Sequence, residues 1–182
     1  MVYVHLATGF EEVEALTVID LLRRADIEVK SVSITGEKRV MGTHGIPVEA
    51  DILFEETDYE KCEMIVLPGG LPGADYLGEH DGLVKQIKYF AENDKYLAAI
   101  CAAPQVFGAQ GVVDGKKATI YPGMEACLKG ADPQDEIVVA DGKIITSMGP
   151  ATAMPFALKL IEVLKGKDTS DAVASGLLWN RL

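Results

Sequence analysis

The stretch Leu97-Ala98-Ala99-Ile100-Cys101-Ala102-Ala103-Pro104 runs a short apolar strand, Leu97–Ile100, straight into a helical pattern, Ala103–Gln110, with one cysteine between. Proline suits the first turn of a helix, where an N–H would have no partner anyway. The small residues on both sides permit a sharp turn that lets the cysteine stand clear at the top of a sheet, as in the nucleophile elbows of hydrolases. A thiol there faces unpaired backbone N–H groups and the positive end of a helix, both of which favour thiolate. A small buried cysteine that only fills core space fits the same residues. Spacing alone leaves both readings open.

Outward from this elbow, strands and helices alternate. Val2–Ala7 reads as a buried strand, Glu11–Asp26 as a helix, Ile27–Ile34 as a strand, and the glycine-rich Gly36–Asp51 as an excursion that forms a hairpin. Met64–Pro68 is a short buried strand closed by Gly69-Gly70, and Leu83–Glu92 is helical. Glu136–Ala140 and Lys143–Ser147 read as strands joined by Asp141-Gly142, a type I′ signal. Ala151–Leu164 is a helix with Pro155 in its first turn. This alternation predicts an α/β sandwich around a mainly parallel sheet. Ligands of such folds collect at the carboxyl ends of strands, here Thr8–Glu14, Pro68–Ala74, Cys101–Pro104 and Gly149–Thr152.

No repeat or linker interrupts the 182 residues, which predicts a single domain over residues 1–182. With 48% hydrophobic and 25% charged residues the chain is globular in composition. Its net charge of −11 repels phosphate backbones and argues against nucleic acid as a main partner. Cys62, Cys101 and Cys127 are scattered, with neither disulfide-framework nor CxxC spacing, and three histidines give zinc little to draw on. The start, Met1-Val2-Tyr3-Val4-His5, has no basic leader, and no apolar run approaches the roughly 18 residues of a membrane span. The expectation is a protein of the cytoplasm, with no membrane partner.

Glu14 stands out on its helix. At about 100° per residue it shares a face with Val18, Leu21 and Ala25, so its carboxylate points into the apolar stripe. Burial of that kind is costly unless the group is paired or protonated, and it raises the pKa. A carboxyl kept neutral in this way can donate to a thiolate, the pair then sharing one proton. The competing reading is a carboxylate capping N–H groups in the first turn, a role that Glu11 and Glu12 fit better because they begin it.

Leu67-Pro68-Gly69-Gly70-Leu71-Pro72-Gly73-Ala74 lacks the Lys-Ser/Thr of a P-loop and the spacing of a dinucleotide fingerprint. Either it is a plain tight turn, or the N–H of Gly70 joins that of Ala102 as an oxyanion hole. No histidine neighbours Cys101. His5 reads as a satisfied core or edge residue and His80 as a solvated neighbour of a helix cap. His44, on the glycine-rich excursion, is placed to reach a site or a partner subunit.

Gly9-Phe10-Glu11-Glu12-Val13-Glu14, Val66-Leu67-Pro68-Gly69-Gly70, the segment Ala98–Pro104 and Thr146-Ser147-Met148-Gly149-Pro150-Ala151-Thr152 together resemble the DJ-1/ThiJ/PfpI family, closest to its DJ-1/ThiJ branch. The resemblance covers essentially the whole chain. It implies a flavodoxin-like three-layer sandwich and a homodimer. It further implies Cys101 as nucleophile, Glu14 as its protonated partner, Gly69, Gly70 and Ala102 at the substrate, and Tyr121 and His44 as accessory residues. Members of the branch are described as cofactor-independent glyoxalases or deglycases acting on 2-oxoaldehydes such as methylglyoxal, and as redox-sensing chaperones. No cofactor and no metal are implied. The sequence departs from the family pattern where Tyr121 replaces a histidine before Pro122, since a phenol is no base near neutral pH. His44 stands where an arginine is often contributed across the dimer. Ala102, beside the cysteine, argues against the peptidase branch, which carries histidine there.

Overall fold

The computed structural model describes residues 1–181. In chain order the strands and helices are β1 (Val2–Leu6), α1 (Glu12–Arg24), β2 (Val29–Ser33), β3 (Arg39–Met41), β4 (Pro47–Glu49), β5 (Ile52–Leu53), β6 (Met64–Leu67), α2 (Gly73–Glu79), α3 (Asp81–Glu92), β7 (Tyr96–Ile100), α4 (Pro104–Ala109), β8 (Lys117–Ala118), β9 (Asp132–Pro133), β10 (Val138–Asp141), β11 (Ile144–Ser147), α5 (Ala153–Lys165) and α6 (Lys167–Gly176).

Seven strands form the central sheet in the order β10-β11-β7-β6-β1-β2-β5. All neighbours are parallel except the edge pair β10/β11. Taken in chain order, the five inner parallel strands run 2-1-3-4-5, the flavodoxin-like arrangement, whose direction of winding reverses between its first and third strands. Side chains alternate across the sheet with period two. Val2, Val4, Leu6, Val66, Ala98 and Ile100 pack on one face with α1 and α5. Tyr3, Ile65, Leu67, Leu97 and Ala99 pack on the other with α2, α3 and α4. The result is a three-layer sandwich. Because helices cover both faces, the inner strands are mostly apolar, and β1, β6 and β11 have every residue buried.

The β3/β4 hairpin lies within the expected glycine-rich excursion. The β10/β11 turn differs in detail from expectation. Asp141 still pairs with Ile144, so Gly142 and Lys143 are the two loop residues. Positive φ falls on Gly142 alone (62°), the pattern of a type II′ turn rather than type I′. Helix α4 has six residues, shorter than the Ala103–Gln110 pattern. Helices α2 and α6 answer to no pattern read in the sequence.

Candidate active site

The crevice where the winding of the sheet reverses lies between the carboxyl ends of β1 and β6, and the unusual residues gather there. Cys101 follows β7 with φ +64°, a left-handed conformation that costs a non-glycine residue about 1–2 kcal/mol. Surrounding backbone holds it there: its N–H donates to the Ser147 carbonyl and its carbonyl accepts from the Tyr121 N–H, both at 2.9 Å. This is the expected elbow, and the cysteine is 9% exposed at its tip.

Glu14 lies in the first turn of α1 and is fully buried, as its helical phase requires. Glu11 caps that helix, its Oε2 accepting the Glu14 N–H at 2.8 Å. Glu14 Oε2 accepts the Gly69 N–H at 2.7 Å. Its Oε1 is buried without a hydrogen-bond partner. The Cys101 thiol is near enough to act on the carboxyl group. Gly69 stands where these groups converge. A Cβ on it would lie 2.6 Å from Cys101 Cβ, 2.8 Å from Glu14 Oε2 and 2.9 Å from the Ile100 carbonyl, so no larger residue fits.

The electrostatics correct one expectation. Burial pushes Glu14 up to about 7, against the Gly69 N–H and the thiol, which favour the carboxylate; the Glu11 charge adds to the rise. Cys101 is not lowered. Burial first, and then the nearby Glu14 carboxylate, push the thiol up to about 12, although the N–H groups of Gly70 and Ala102 pull it down. The six-residue α4 gives little dipole to offset this. A thiolate therefore needs the Glu14 proton in place. With that proton on the carboxyl, the charge that opposes the thiolate is gone and the acid becomes its donor.

Tyr121 reaches the site through its backbone. Its ring lies over Gly149 and is about half exposed, at 48%. His44, at the tip of the β3/β4 hairpin, bonds within its own chain, with Nδ1 2.8 Å from Glu12 Oε2 and 3.8 Å from Glu11 Oε1. Glu12 is thus no cap. It ties the hairpin to α1, its Oε1 accepting the N–H groups of His44 and Ile46. That pairing spans 32 positions and left no local signal in the sequence. Glu11, Glu12 and His44 bring three ligand-type atoms within 4.8 Å of one another. Their oxygens already accept N–H groups, so the cluster works as a latch.

The other candidates lie elsewhere. Cys62 is buried, and its Sγ donates to the Met64 carbonyl at 3.2 Å. Cys127 ends a short 3-10 turn, Glu125–Cys127. His80 is itself the N-cap of α3, its Nδ1 accepting the Leu83 N–H at 3.1 Å, and its ring meets Phe54 edge-on. His5 is only half satisfied: Nε2 pairs with the Tyr59 hydroxyl at 2.7 Å, but Nδ1 is buried without a partner.

The DJ-1/PfpI family pattern matches residues 1–163. Protein dj-1beta of Drosophila melanogaster is 39% identical over 175 residues, which cover 95% of this chain and 94% of the relative. DJ-1 homolog B of Arabidopsis thaliana is 38% identical over 168 residues, 92% of this chain, which spans only 38% of that longer protein. A Caenorhabditis elegans protein named as a glutathione-independent glyoxalase, DJR-1.2, is 29% identical over 169 residues, covering 92% of this chain and 89% of the relative. The solved structure of oxidized Toxoplasma gondii DJ-1 superposes with a TM-score of 0.93 at 38% identity, covering 97% of each chain. Among the described residues no helix is long and apolar enough to cross a membrane. With the elbow, the buried glutamate and the glycine exit arranged on this sheet, and with likeness to relatives running nearly end to end, the chain belongs to the DJ-1/PfpI family.

Proposed function

We propose that the protein is a cofactor-independent enzyme of glyoxalase or deglycase type acting on 2-oxoaldehydes such as methylglyoxal. One observation carries the reading: Glu14 is anchored through one oxygen to Gly69, while its other oxygen is buried without a partner beside Cys101. That is the geometry of a proton shuttle attached to a nucleophile. The Cys101 sulfur bonds to the aldehyde carbon, and the alkoxide that forms accepts from the Gly70 and Ala102 N–H groups. Glu14 gives its proton to that alkoxide and, now a carboxylate, takes the proton from the same carbon and returns it to the neighbouring carbonyl carbon through the enediol. One carbon is oxidised and the other reduced by the same electron pair, so no outside oxidant is needed. Water then cleaves the C–S bond of the thioester, giving lactate and the free thiol. The relative named as a glyoxalase supports this choice of substrate. Purified protein is expected to form lactate from methylglyoxal, with Cys101→Ser inactive and Glu14→Gln reduced by about a hundredfold or more. Wild-type turnover by Cys101→Ser would sink the mechanism.

A second reading uses the same atoms. The related structure described as oxidized and the free Glu14 oxygen fit a sensor whose Cys101 is taken to a sulfinate by peroxide. Two oxygen atoms added at Cys101 alone, together with negligible lactate, would favour it. Our reading also includes a homodimer. Val13 and Leu16 on α1, Met41 and Ile46 on the hairpin, and Leu71 are exposed apolar residues that a second copy would cover. It places the protein in the cytoplasm, a reducing compartment in keeping with three free thiols.

A further inference from the structure

We propose that Thr146 and Thr152 are positioning residues for Cys101, their hydroxyls each fixing one end of its strained backbone, with Thr152 acting through Ser147. The proposal rests on the reading that Cys101 is the nucleophile. It gives a role to the Thr146–Thr152 stretch, which the chemistry above leaves unused.

The left-handed turn at Cys101 is held through its two peptide groups, the N–H by the Ser147 carbonyl and the carbonyl by the Tyr121 N–H. Both partners stand where the chain leaves regular structure. Ser147 is the last residue of β11, and Tyr121 comes three positions after β8. Backbone at such places opens readily unless something ties it down.

Hydroxyl groups do the tying. Ser147 Oγ lies 2.6 Å from the Ile137 carbonyl and 2.6 Å from Thr152 Oγ1, which also accepts the Gly149 N–H at 3.0 Å. Each hydroxyl has one proton to give. With the Thr152 proton on Ser147 and the Ser147 proton on Ile137, both 2.6 Å contacts are filled. The Gly149 carbonyl, 2.9 Å from Thr152 Oγ1, has the Thr152 N–H at 2.8 Å instead. One chain of donors therefore runs from the 3-10 turn Pro150–Thr152 through Ser147 to the residue before β10. On the other side, Thr146 Oγ1 accepts the Thr119 N–H at 2.9 Å, and both residues are buried. That bond anchors to β11 the segment that carries the Tyr121 N–H. The Tyr121 ring, lying over Gly149, joins the two sides.

A non-glycine residue in the left-handed region relaxes once either end of it is released. Relaxation carries the sulfur away from the Gly70 and Ala102 N–H groups. Releasing one end already yields the whole of that relaxation, so releasing the second adds little.

The test pairs site-resolved amide hydrogen exchange with lactate formation from methylglyoxal. Thr152→Val keeps the side-chain shape and removes the hydroxyl. It is expected to speed exchange of the Cys101 N–H about tenfold, matching the strain released, and to leave the Ala99 N–H of β7 unchanged. The same variant should lose about tenfold in kcat at unchanged KM. Thr152→Ser retains the hydroxyl and should restore both readouts. Thr146→Val should act in the same way on the Tyr121 N–H and on kcat. Thr146→Val/Thr152→Val should also lose about tenfold in kcat, where independent effects would multiply to about a hundredfold. Ser170→Ala on α6, which removes a hydrogen bond to the Leu158 carbonyl, is the control for general loosening and should move neither readout. Unchanged Cys101 exchange in Thr152→Val would overturn the proposal. So would equal speeding at Ala99 or in Ser170→Ala, or multiplied losses in the double variant. The exchange shifts without lactate from any of the proteins remove the glyoxalase reading alone, and turnover indifferent to all the substitutions removes the positioning alone.

Discussion

The nucleophile and its acid meet at one residue with no side chain. Gly69 gives its N–H to Glu14 and lets Cys101 and Glu14 approach each other across its Cα. Gly69→Ala would place a methyl 2.6 Å from Cys101 Cβ and 2.9 Å from the Ile100 carbonyl, which belongs to the rigid end of β7. Backbone cannot swing aside as a long side chain does, so either the elbow or the Pro68–Gly70 turn must shift. The expected cost is about 1–3 kcal/mol, read as a lower urea midpoint. Cys101 alkylation should lose its dependence on Glu14, so that Gly69→Ala and Gly69→Ala/Glu14→Gln react alike. An unchanged midpoint with the Glu14 dependence intact would show that the close approach does not matter. Cys101 cannot take over the tolerance that Gly69 provides. Its own φ of +64° already holds strain that the Ser147 and Tyr121 hydrogen bonds maintain.

Among the elements, α5 and α6 show how stability is kept apart from the site. Ser170 on α6 is buried, and its Oγ donates to the Leu158 carbonyl of α5 at 2.8 Å. Ser170→Ala removes one hydrogen bond and leaves Leu158 its helical partner, so a loss of about 1 kcal/mol is expected by urea denaturation. Helix α6 packs by the Arg24–Asp26 end of α1, remote from Glu14, so Cys101 alkylation should match wild type; a slowed thiol would show the two regions to be coupled. The elements also mark how far the sequence could be read. The inner strands and α1 were legible because burial on two sheet faces and on one helix stripe writes simple periods into the chain. Cys101 and Glu14 were legible as breaks in those periods. Helix α6, Lys167-Asp168-Thr169-Ser170-Asp171-Ala172-Val173-Ala174-Ser175-Gly176, was not, because only Ser170 and Ala174 on it are buried and they make no apolar stripe. The Glu12–His44 latch is a tertiary contact without local periodicity. The direction of the thiol shift was misread because spacing reveals nearby N–H groups but not how deeply the sulfur is buried.

For the whole molecule, two buried titratable groups make stability run in opposite directions with pH. His5 is pushed down to about 3, by burial first and by His80 in addition, from an ordinary 6.5. The unfolded chain therefore takes up a proton that the native state refuses, and stability is lost as pH falls below about 6.5, by about 1.4 kcal/mol per unit. Glu14 is pushed up to about 7 from 4.5, by burial first. Here the native state keeps a proton that the unfolded chain releases, so stability is present below about 4.5 and is lost as pH rises through about 7, with the same slope. Between about pH 4.5 and 6.5 the two contributions cancel, and the wild-type urea midpoint should owe them almost no slope. Substitution unmasks them. His5→Gln retains a partner for the Tyr59 hydroxyl but cannot titrate, so relative to wild type its stability should fall as pH rises through that window. Glu14→Gln retains an acceptor for the Gly69 N–H, so relative to wild type its stability should rise with pH, ending about 2 kcal/mol or more above wild type at neutral pH. The remaining carboxylates are common to all three proteins and drop out of the difference curves. Parallel curves for the three proteins would mean that neither group is held in its neutral form, and the Glu14 proton on which the proposed chemistry depends would have no energetic basis.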